Sequence, residues 1–463
     1  MTAERVTERE AQADLAAVLQ LVAAGRLRCS IRTRRPSRAT VRTVDEVLSG
    51  GDFYMHEAIR AFAWPLLLQS GGLATLSSGR LELTPRGHKA LVCPASETIR
   101  DLWQRWLSHG ALDELSRVEG IKGQRGLNVL SPVRPRRKAI DAALAKCCPP
   151  GEWILIDQLF TAMRIAGHDP VVVRSRGALW QLYLEDPQYG SLGHDGFDEW
   201  PLLQGRYTLC VLFEYAATLG LIDVRYTAPG GARDDFRRNW GNDGLDRLSR
   251  YDGLLAVRLN PLGIYATGQV TRPCPDVERS STPSAAQCPV QVLANFDLVA
   301  PAGLATADKL LLDAFATRAS GNVWTLSTAS LLKALYTGRS LDELHCFLTR
   351  GSGQPIPQTV QSLLADAAAR TRRVWDAGAY HLLVCVDETQ TALFAEDATL
   401  RELCSRVGDR HLAVATGDLP AFRHALLNLG YVLPGPSPSA PETLDLKVQG
   451  NGCPIAMKHD PPE

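Results

Sequence analysis

VQVLANFDLVAP, at residues 290–301, opens the segment that decides the fold, because its apolar side chains follow the pattern of a buried strand. Ser340 with Glu343 three residues later predicts a capping box, and Pro357 predicts the first residue of another helix. Five further stretches carry helix or strand patterns: WTLSTASLLKAL (324–335), SLDELHCFLTRGSGQPIPQTVQSLLADAA (340–368), LLVCVDE (382–388), LRELCSRV (400–407) and LPAFRHALLNLGYV (419–432). Together these patterns predict one α/β module over residues 290–434.

This order of stretches resembles the bacterial helicase-associated domain, which is similar to the N-terminal domain of the XPB/Ssl2 DNA helicase. A related, clutch-like fold occurs in the winged-helix subunit that grips XPB inside transcription factor TFIIH. The run LSRYDGLLAVRLNPLGIYATG at residues 248–268 resembles a segment that commonly precedes this domain in bacterial proteins. The resemblance implies a module that binds DNA or docks a helicase.

The N-terminal part of the chain has an order of elements typical of a winged helix-turn-helix unit. Apolar residues at i, i+3, i+4 and i+7 from Leu15 predict a first amphipathic helix, and Ser37 predicts the N-cap of a second. The run LATLSSGRLELTPRG at residues 73–87 predicts a hairpin followed by a short helix that Thr84 caps. Helices followed by such a hairpin predict a winged-helix domain over residues 1–95.

The same ending occurs a second time. LGLIDVRYTAP (219–229) and LLAVRLNP (254–261) predict paired strands, and NPLG at residues 260–263 repeats the spacing of TPRG at residues 84–87. We therefore expect a second winged-helix domain with a long wing over residues 136–268. For the whole chain we expect an α+β, multidomain fold, with two winged-helix units followed by the XPB-N-terminal-like α/β module.

Three segments lie outside these domains. Residues 96–135 combine a helical pattern with a stretch rich in Gly, Pro and Arg, and predict a helical connector. Residues 269–289 and 435–463 are rich in Pro and Ser, a composition typical of a flexible linker and a flexible tail.

The formal net charge of zero hides an uneven distribution of charge along the chain. Residues 1–150 carry 23 Lys and Arg against 15 Asp and Glu, a balance of +8. Residues 151–300 carry 13 against 18, a balance of −5, and the remainder carries 14 against 17, a balance of −3. Positive charge at the N-terminal end would attract a phosphate backbone, and arginine, which outnumbers lysine 42 to 8, binds phosphate in bidentate fashion.

The clearest basic pattern is the run from Arg26 to Arg42, because no acidic residue occurs between Asp14 and Asp45. We expect phosphate contacts from this run, from the first wing, from a second basic run and from the insert of the second wing. The predicted DNA-binding residues are Arg32, Arg34, Arg35, Arg38, Arg42, Arg80, Arg86, Lys89, Arg134, Arg136, Arg137, Lys138, Arg233, Arg237 and Arg238. The alternative interpretation of the run is a solvated helix face and loop.

The sequence carries no recognisable catalytic motif. It has no Gly-Lys dipeptide and therefore no phosphate-binding Walker A loop, so we expect that the chain is neither a helicase motor nor another enzyme. The box DELH at residues 342–345 spells a helicase motif, but it falls on a predicted amphipathic helix and we interpret it as coincidence. No H-E-x-x-H or C-x-x-C motif occurs, so we predict no metal and no cofactor, and expect most of the eleven cysteines to be buried thiols.

These observations favour a non-catalytic DNA-binding accessory protein that docks a separately encoded helicase, XPB-like or other, on DNA. Its expected partners are the phosphate backbone of duplex or forked DNA, and a helicase or other protein bound through residues 290–434. Two alternatives remain open: a protein-interaction scaffold of a mobile-element or phage-defence system, and a winged-helix transcriptional regulator. Without a leader or an apolar stretch of about 20 residues, we expect a cytoplasmic protein that touches no membrane and joins the nucleoid when bound to DNA.

Overall fold

The computed structural model describes residues 2–434 apart from residues 111, 127, 188, 195–199, 238–243, 275–289, 353–354, 372 and 374–375. Helices and several small sheets form a mixed α+β, multidomain structure, as the sequence predicts. The chain divides into two compact units, Met1–Arg370 and Thr371–Glu463, so the predicted module 290–434 contributes residues to both. Most of the predicted linker 269–289 and all of the predicted tail 435–463 lie outside the described residues.

The first unit begins with strand β1 (Ala3–Arg5), helix α1 (Glu8–Ala23), helix α2 (Arg38–Asp45) and helix α3 (Arg60–Ser70). The hairpin of β2 (Ala74–Ser77) and β3 (Arg80–Leu83) leads into α4 (Pro85–Ala90) and α5 (Ala95–Trp106). Ser78 and Gly79 form the turn with positive φ angles, as two-residue hairpins require. The predicted hairpin, its turn and the Thr84 cap of α4 are thus confirmed.

The chain continues through β4 (Ile121–Lys122), α6 (Val133–Cys147), β5 (Trp153–Leu155), α7 (Ile156–Ala166) and β6 (Tyr183–Leu184). Helix α8 (Arg206–Cys210) lies between two π-helical turns, Pro201–Gly205 and Val211–Ala216, and precedes β7 (Ile222–Tyr226), β8 (Leu254–Leu259) and α9 (Pro261–Ala266). The antiparallel sheet has the order β1-β7-β8-β5. Because Ala3 pairs with Tyr226, the start of the chain belongs to the sheet of the second predicted winged-helix unit.

The two hairpin endings have the same geometry. In each, the side-chain oxygen of the cap residue accepts a hydrogen bond from the glycine nitrogen, at 3.1 Å for Gly87 and 3.0 Å for Gly263. A Cβ atom built on Gly87 would lie 2.1 Å from the carbonyl oxygen of Leu73, and one on Gly263 would lie 2.0 Å from that of Leu221. Only glycine permits so close an approach of two backbones, which accounts for the repeated spacing.

A single hydrophobic core extends from Ala11 to Ala266 and includes residues of both predicted winged-helix units and of the segment between them. The ring of Phe53 lies 4.5 Å from that of Phe213, and Trp106 stacks on Tyr215 at 4.8 Å. These contacts join residues that are more than 100 positions apart in the chain. The first 266 residues therefore pack around one interior.

The last part of the first unit contains a four-stranded antiparallel sheet in the order β11-β12-β10-β9. Its elements are β9 (Gln291–Val292), β10 (Asp297–Val299), α10 (Thr306–Phe315), β11 (Ala316–Ser320), β12 (Val323–Leu326), α11 (Thr328–Tyr336), α12 (Leu341–Ser352) and α13 (Gln358–Thr371). This part has its own core around Trp324 and Leu348. It packs on α1, where Arg339 donates a 2.8 Å hydrogen bond to Gln20 and also binds Glu343 at 2.6 Å.

The second unit has a three-stranded antiparallel sheet in the order β13-β15-β14 and a separate hydrophobic core. Its elements are β13 (Tyr380–Val384), α14 (Glu388–Glu396), β14 (Cys404–Arg406), β15 (His411–Ala415) and α15 (Leu419–Asn428). Strand β13 lies at one edge of this sheet.

Within the residues that the structure describes, no helix combines the length and the apolar character needed to cross a membrane.

Candidate nucleic-acid interface

The segment between α1 and α2 forms backbone hydrogen bonds with the β2–β3 hairpin. The amide of Leu81 donates a hydrogen bond to the carbonyl of Leu27 at 2.9 Å, and the amide of Cys29 donates one to the carbonyl of Gly79 at 3.0 Å. Arg28 consequently pairs with Arg80 in an antiparallel bridge. The backbone alone thus brings the basic run of residues 26–42 beside the hairpin.

A tight turn projects the middle of that run from the surface. The amide of Ser30 donates to the carbonyl of Arg35 at 2.9 Å, and the amide of Arg34 donates back to the carbonyl of Ser30 at 2.8 Å. Arg34 adopts a positive φ of 61°, and its carbonyl accepts a 3.1 Å hydrogen bond from Gln69 of α3. The turn is therefore fixed to the body of the protein.

Helix α2 continues the basic surface. Ser37 caps the helix by accepting a hydrogen bond from the amide of Thr40, as the sequence predicts, and Thr40 and Val44 face the core. Arg38 and Arg42, one turn apart, are both exposed. The apolar side of the helix thus fixes the direction in which these two guanidinium groups point.

We define the arginine surface as seven exposed residues that this arrangement brings together: Arg26, Arg28, Arg32, Arg34, Arg38, Arg42 and Arg80. In the part of the chain that the structure describes, no carboxylate oxygen lies within 4.0 Å of their guanidinium nitrogens. Like charges clustered on one surface raise the local potential and attract a polyanion. The geometry suits contact with a phosphate backbone.

Arg35 differs from its neighbours. It is half-buried, and its guanidinium donates a 2.9 Å hydrogen bond to Ser116. Burial lowers the pKa of Arg35, and the charges of Arg117 and Arg125 act in the same direction. Arg35 thus lies at the border between the arginine surface and the segment around residue 125.

Arg86 and Lys89 lie on α4, at a cleft that α4 forms with α5 and α9. Arg86 is exposed and forms an ion pair of 3.3 Å with the exposed carboxylate of Asp101. Arg100 also lines the cleft, with its guanidinium 4.5 Å from the ring centroid of Tyr265. Because Asp101 offsets part of the positive charge, this cleft is less basic than the arginine surface.

The second basic run divides into exposed and buried residues. Arg134 and Lys138 are exposed on α6, whereas Arg136 and Arg137 are each 1% exposed. Arg136 binds Asp113 at 2.9 Å through Nη1, and Arg137 binds Glu114 at 2.9 Å through Nε. The prediction that these two buried arginines contact DNA is wrong for this structure, because their donors are used inside the core.

The predicted DNA-binding arginines of the wing insert also differ in their surroundings. Arg233 lies between two carboxylates, binding Asp157 and binding Asp235 at 3.0 Å, so its charge is already neutralised. Arg237 is exposed, with its guanidinium over the ring of Phe236 at 5.6 Å. Arg238 lies outside the described residues. Arg237 is accordingly the member of this group whose described environment suits a phosphate.

Helix α3, which precedes the hairpin, is buried rather than presented to solvent. Eight of the eleven residues of its sequence RAFAWPLLLQS are apolar, and Trp64 and Leu67 are fully buried. Arg60 at its start is buried as well and forms an ion pair with Asp14. A helix enclosed in this way cannot enter a DNA groove without unpacking the core.

The described residues also include potential metal-ligating and thiol groups. No three His, Cys, Asp or Glu side chains among them form a group that could hold a metal ion. Burial raises the pKa of Cys29 and of Cys404 to about 11, which disfavours the reactive thiolate. Of the nine cysteines described, four are buried, three are half-buried, and Cys274 and Cys346 are exposed.

The acidic box at residues 342–345 lies at the start of α12. Glu343 is buried, accepts a 3.3 Å hydrogen bond from the amide of Ser340 and binds Arg339. These contacts are those of a helix cap, in agreement with the interpretation of the motif as coincidence.

Comparison with known families adds one match. Residues 290–407 match the family described as the helicase conserved C-terminal domain, over about a quarter of the chain. No curated protein matches the chain. The matched region coincides with most of the segment whose sequence resembles helicase-associated domains, and the match supports a helicase-associated domain in this part of the chain.

Proposed function

We propose that this chain is a non-catalytic accessory protein that binds DNA through its arginine surface and holds a separately encoded helicase there. The observation that carries the proposal is the set of seven exposed arginines without an ion-pair partner among the described residues, fixed by backbone hydrogen bonds beside a hairpin. Such a concentration of unpaired positive charge attracts a polyanion. The helicase-associated domain at residues 290–407 supports the second half of the proposal.

We further propose that residues 1–95 and 136–268 are winged helix-turn-helix units. The order α1, strand-like segment at residues 27–29, α2, α3 and hairpin supports this assignment for the first unit, and the repeated glycine ending supports it for the second. Because α3 is enclosed in the core, binding would use the turn, α2 and the hairpin. Such contacts reach phosphates and would give little base specificity.

The helicase would dock through the segment 290–434, which we propose to be similar to the XPB/Ssl2 N-terminal domain and to the clutch of its partner in TFIIH. Strand β13, an edge strand, exposes Leu382 and Val384, and the next residues expose Val386. An exposed apolar edge strand is a site where another chain can add to the sheet. The same edge favours the second candidate function, a protein-interaction scaffold in a mobile-element or phage-defence system.

A titration of the full chain against duplex, forked and single-stranded DNA at two salt concentrations tests DNA binding. We expect that replacing Arg34, Arg38, Arg42 and Arg80 together by alanine weakens binding to all duplex sequences alike. The slope of log affinity against log salt should fall by about 0.9 for each phosphate contact removed. Arg35 is retained in this variant because it is half-buried against Ser116.

The matched control removes four exposed arginines outside this surface: Arg318, Arg373, Arg401 and Arg423. Its net charge changes by the same amount, so unchanged affinity of this control would separate a local effect from a general one. Equal affinity of the first variant and the unmodified chain at low salt would refute the DNA-binding role and favour the scaffold.

Helicase docking is tested with the full chain and a variant in which Val384 and Val386 are replaced by aspartate. We expect DNA-dependent ATPase activity to co-purify with the unmodified chain from its host and to be lost from the variant, because charge disfavours an apolar edge contact. ATP hydrolysis by the chain purified alone would contradict an accessory role.

A further inference from the structure

Trp180 is an exposed aromatic side chain with one face supported by the protein. Its relative exposure is 57%. A Cβ atom built on Gly193 would lie 2.6, 2.7 and 2.8 Å from three adjoining atoms of the indole, so the Gly193 backbone packs against one face of the ring. The ring of His194 contacts the indole at an angle of 74°, with centroids 5.0 Å apart. The indole is thus held in place while much of it faces solvent.

The backbone around Trp180 is well fixed. The hydroxyl of Ser191 donates to the carbonyl of Trp180 at 3.3 Å, and the amide of Gly193 donates to the same hydroxyl at 3.2 Å. The amide of Leu192 donates to the carbonyl of Leu182 at 2.9 Å. These bonds hold the turn that supports the indole, so the ring is organised before any ligand arrives.

This aromatic lies close to a basic segment, residues 121–126. A Cβ atom on Gly123 would lie 1.7 Å from the carbonyl oxygen of Gln181, and one on Gly126 would lie 2.5 Å from the side-chain oxygen of Gln181. The segment that carries exposed Arg125 therefore packs directly on the residue that follows Trp180. Arg125 also acts electrostatically on Arg35, at the border of the arginine surface.

Two more exposed arginines lie shortly before Trp180 in the chain. Arg174 precedes the 3-10 turn Arg176–Gln181, Arg176 is the first residue of that turn, and Trp180 lies near its end. Arg174 donates a 2.9 Å hydrogen bond from Nε to the carbonyl of Leu130, which fixes this exposed arginine to the backbone. Positive charge therefore occurs both shortly before Trp180 in the chain and in the segment that packs on Gln181.

We propose that Trp180 is a stacking platform for an unpaired base of a DNA strand whose phosphates are bound by Arg125, Arg174 and Arg176. Proteins that bind single strands combine a basic track with aromatic faces, because every base has a face that can stack. Duplex DNA keeps its bases stacked on each other and offers none to Trp180. The inference rests on the proposed DNA-binding function and adds that the bound DNA includes a single-stranded part, as at a fork.

The experiment measures the affinity of the full chain for fluorescent oligothymidylate of about 20 nucleotides, for the same strand without bases, and for a duplex of equal length. We expect Trp180→Ala to weaken binding to oligothymidylate by about 5- to 150-fold, the range of one lost base stack. Binding to the duplex and to the strand without bases should not change. Trp180→Phe should retain most of the affinity because it keeps an aromatic face.

A second variant, Gly193→Ala, tests the support of the indole, because the added methyl group would displace the ring. We expect it to weaken oligothymidylate binding and to leave duplex binding unchanged. Tyr336→Ala, which removes an aromatic side chain that is 93% exposed on α11, is the matched control and should bind as the unmodified chain does. An oligouridylate strand in parallel distinguishes RNA from DNA, and tighter binding to it would overturn the assignment to DNA.

Unchanged oligothymidylate affinity of Trp180→Ala would overturn the platform. An equal loss on the strand without bases would overturn it too, since stacking requires a base. In both cases the proposed function survives if the variant of the arginine surface still loses duplex affinity. If neither variant changes the affinity for any DNA, both proposals fail.

Discussion

Arginines of this chain occupy two opposite environments. The arginine surface is exposed and has no carboxylate partner among the described residues, whereas Arg60, Arg117, Arg136, Arg137 and Arg206 are buried and bind carboxylates. Arg117 binds Glu214 at 2.8 Å and lies 3.7 Å from the ring centroid of Phe62. A run of basic residues in the sequence therefore shows where positive charge is concentrated. It does not show whether that charge is exposed to a ligand or buried in an ion pair.

The buried pairs connect distant parts of the first 266 residues. Arg137 and Tyr207 both bind Glu114, and Tyr251 and Arg117 both bind Glu214. Burial raises the pKa of Glu214, and the Arg117 guanidinium acts in the opposite direction. Removing the partners of either carboxylate would leave a buried charge uncompensated, which destabilises the folded state.

The largest expected effect follows from removing a buried charge. Arg137→Ala should lower the free energy of unfolding by about 3–5 kcal/mol, because Glu114 remains buried without its partner. Arg134→Ala, three residues earlier on the same helix, should change it by less than about 0.5 kcal/mol because Arg134 is exposed. Urea denaturation of both variants measures the difference, and equal losses would break the distinction between the two groups.

A smaller effect is expected from Asp14, which binds the buried guanidinium of Arg60. Burial raises the pKa of Asp14 from 3.8 to about 6, although Arg60 and Ser49 lower it. Between these values the folded state binds more protons than the unfolded state, so the free energy of unfolding falls as pH rises. Relative to Asp14→Asn, the unmodified chain should lose at most about 1.4 kcal/mol per pH unit across this interval.

Urea denaturation of both proteins at several pH values between 4 and 6 measures this dependence. If the free energies of unfolding of the two proteins changed in parallel with pH, the pKa of Asp14 would be the same in the folded and the unfolded chain. The control is Asp101→Asn, which also removes one carboxylate, but from an exposed position.

The smallest effect is expected where the charges are exposed. Asp101→Ala removes the partner of Arg86, whose side chain is 44% exposed, and should change the free energy of unfolding by less than about 1 kcal/mol. Salt should reduce even that difference, because it screens exposed charges. A loss as large as that of Arg137→Ala would contradict the contrast between exposed and buried pairs.

Local features were largely predictable from the sequence. The hairpin at residues 74–83, its turn and the caps Thr84 and Asn260 follow from short-range rules of turn and cap chemistry. The repeated glycine could be recognised from spacing alone, although its cause, a backbone carbonyl 2 Å from the position of a Cβ, is a contact between strand and helix.

The position of each candidate residue was less predictable. Arg134 and Arg136 are two residues apart, yet one faces solvent and the other Asp113, because a helix turns about 100° per residue. Sequence reasoning also missed Arg125 and Trp180, which come together through the packing of Gln181 on two glycines. An isolated tryptophan between basic residues and a turn was the available signal.

The sequence by itself determined the capped helices and the hairpin of the N-terminal part, the two repeated hairpin endings, and the excess of positive charge at one end. These features depend on residues within a few positions of each other, or on patterns that can be recognised in one sequence. Only the tertiary structure decided that α3 is enclosed, that Arg136 and Arg137 are internal, and that one core joins residues 11 to 266. The physical reason is that burial depends on what packs from distant parts of the chain, and neither spacing nor charge specifies those neighbours.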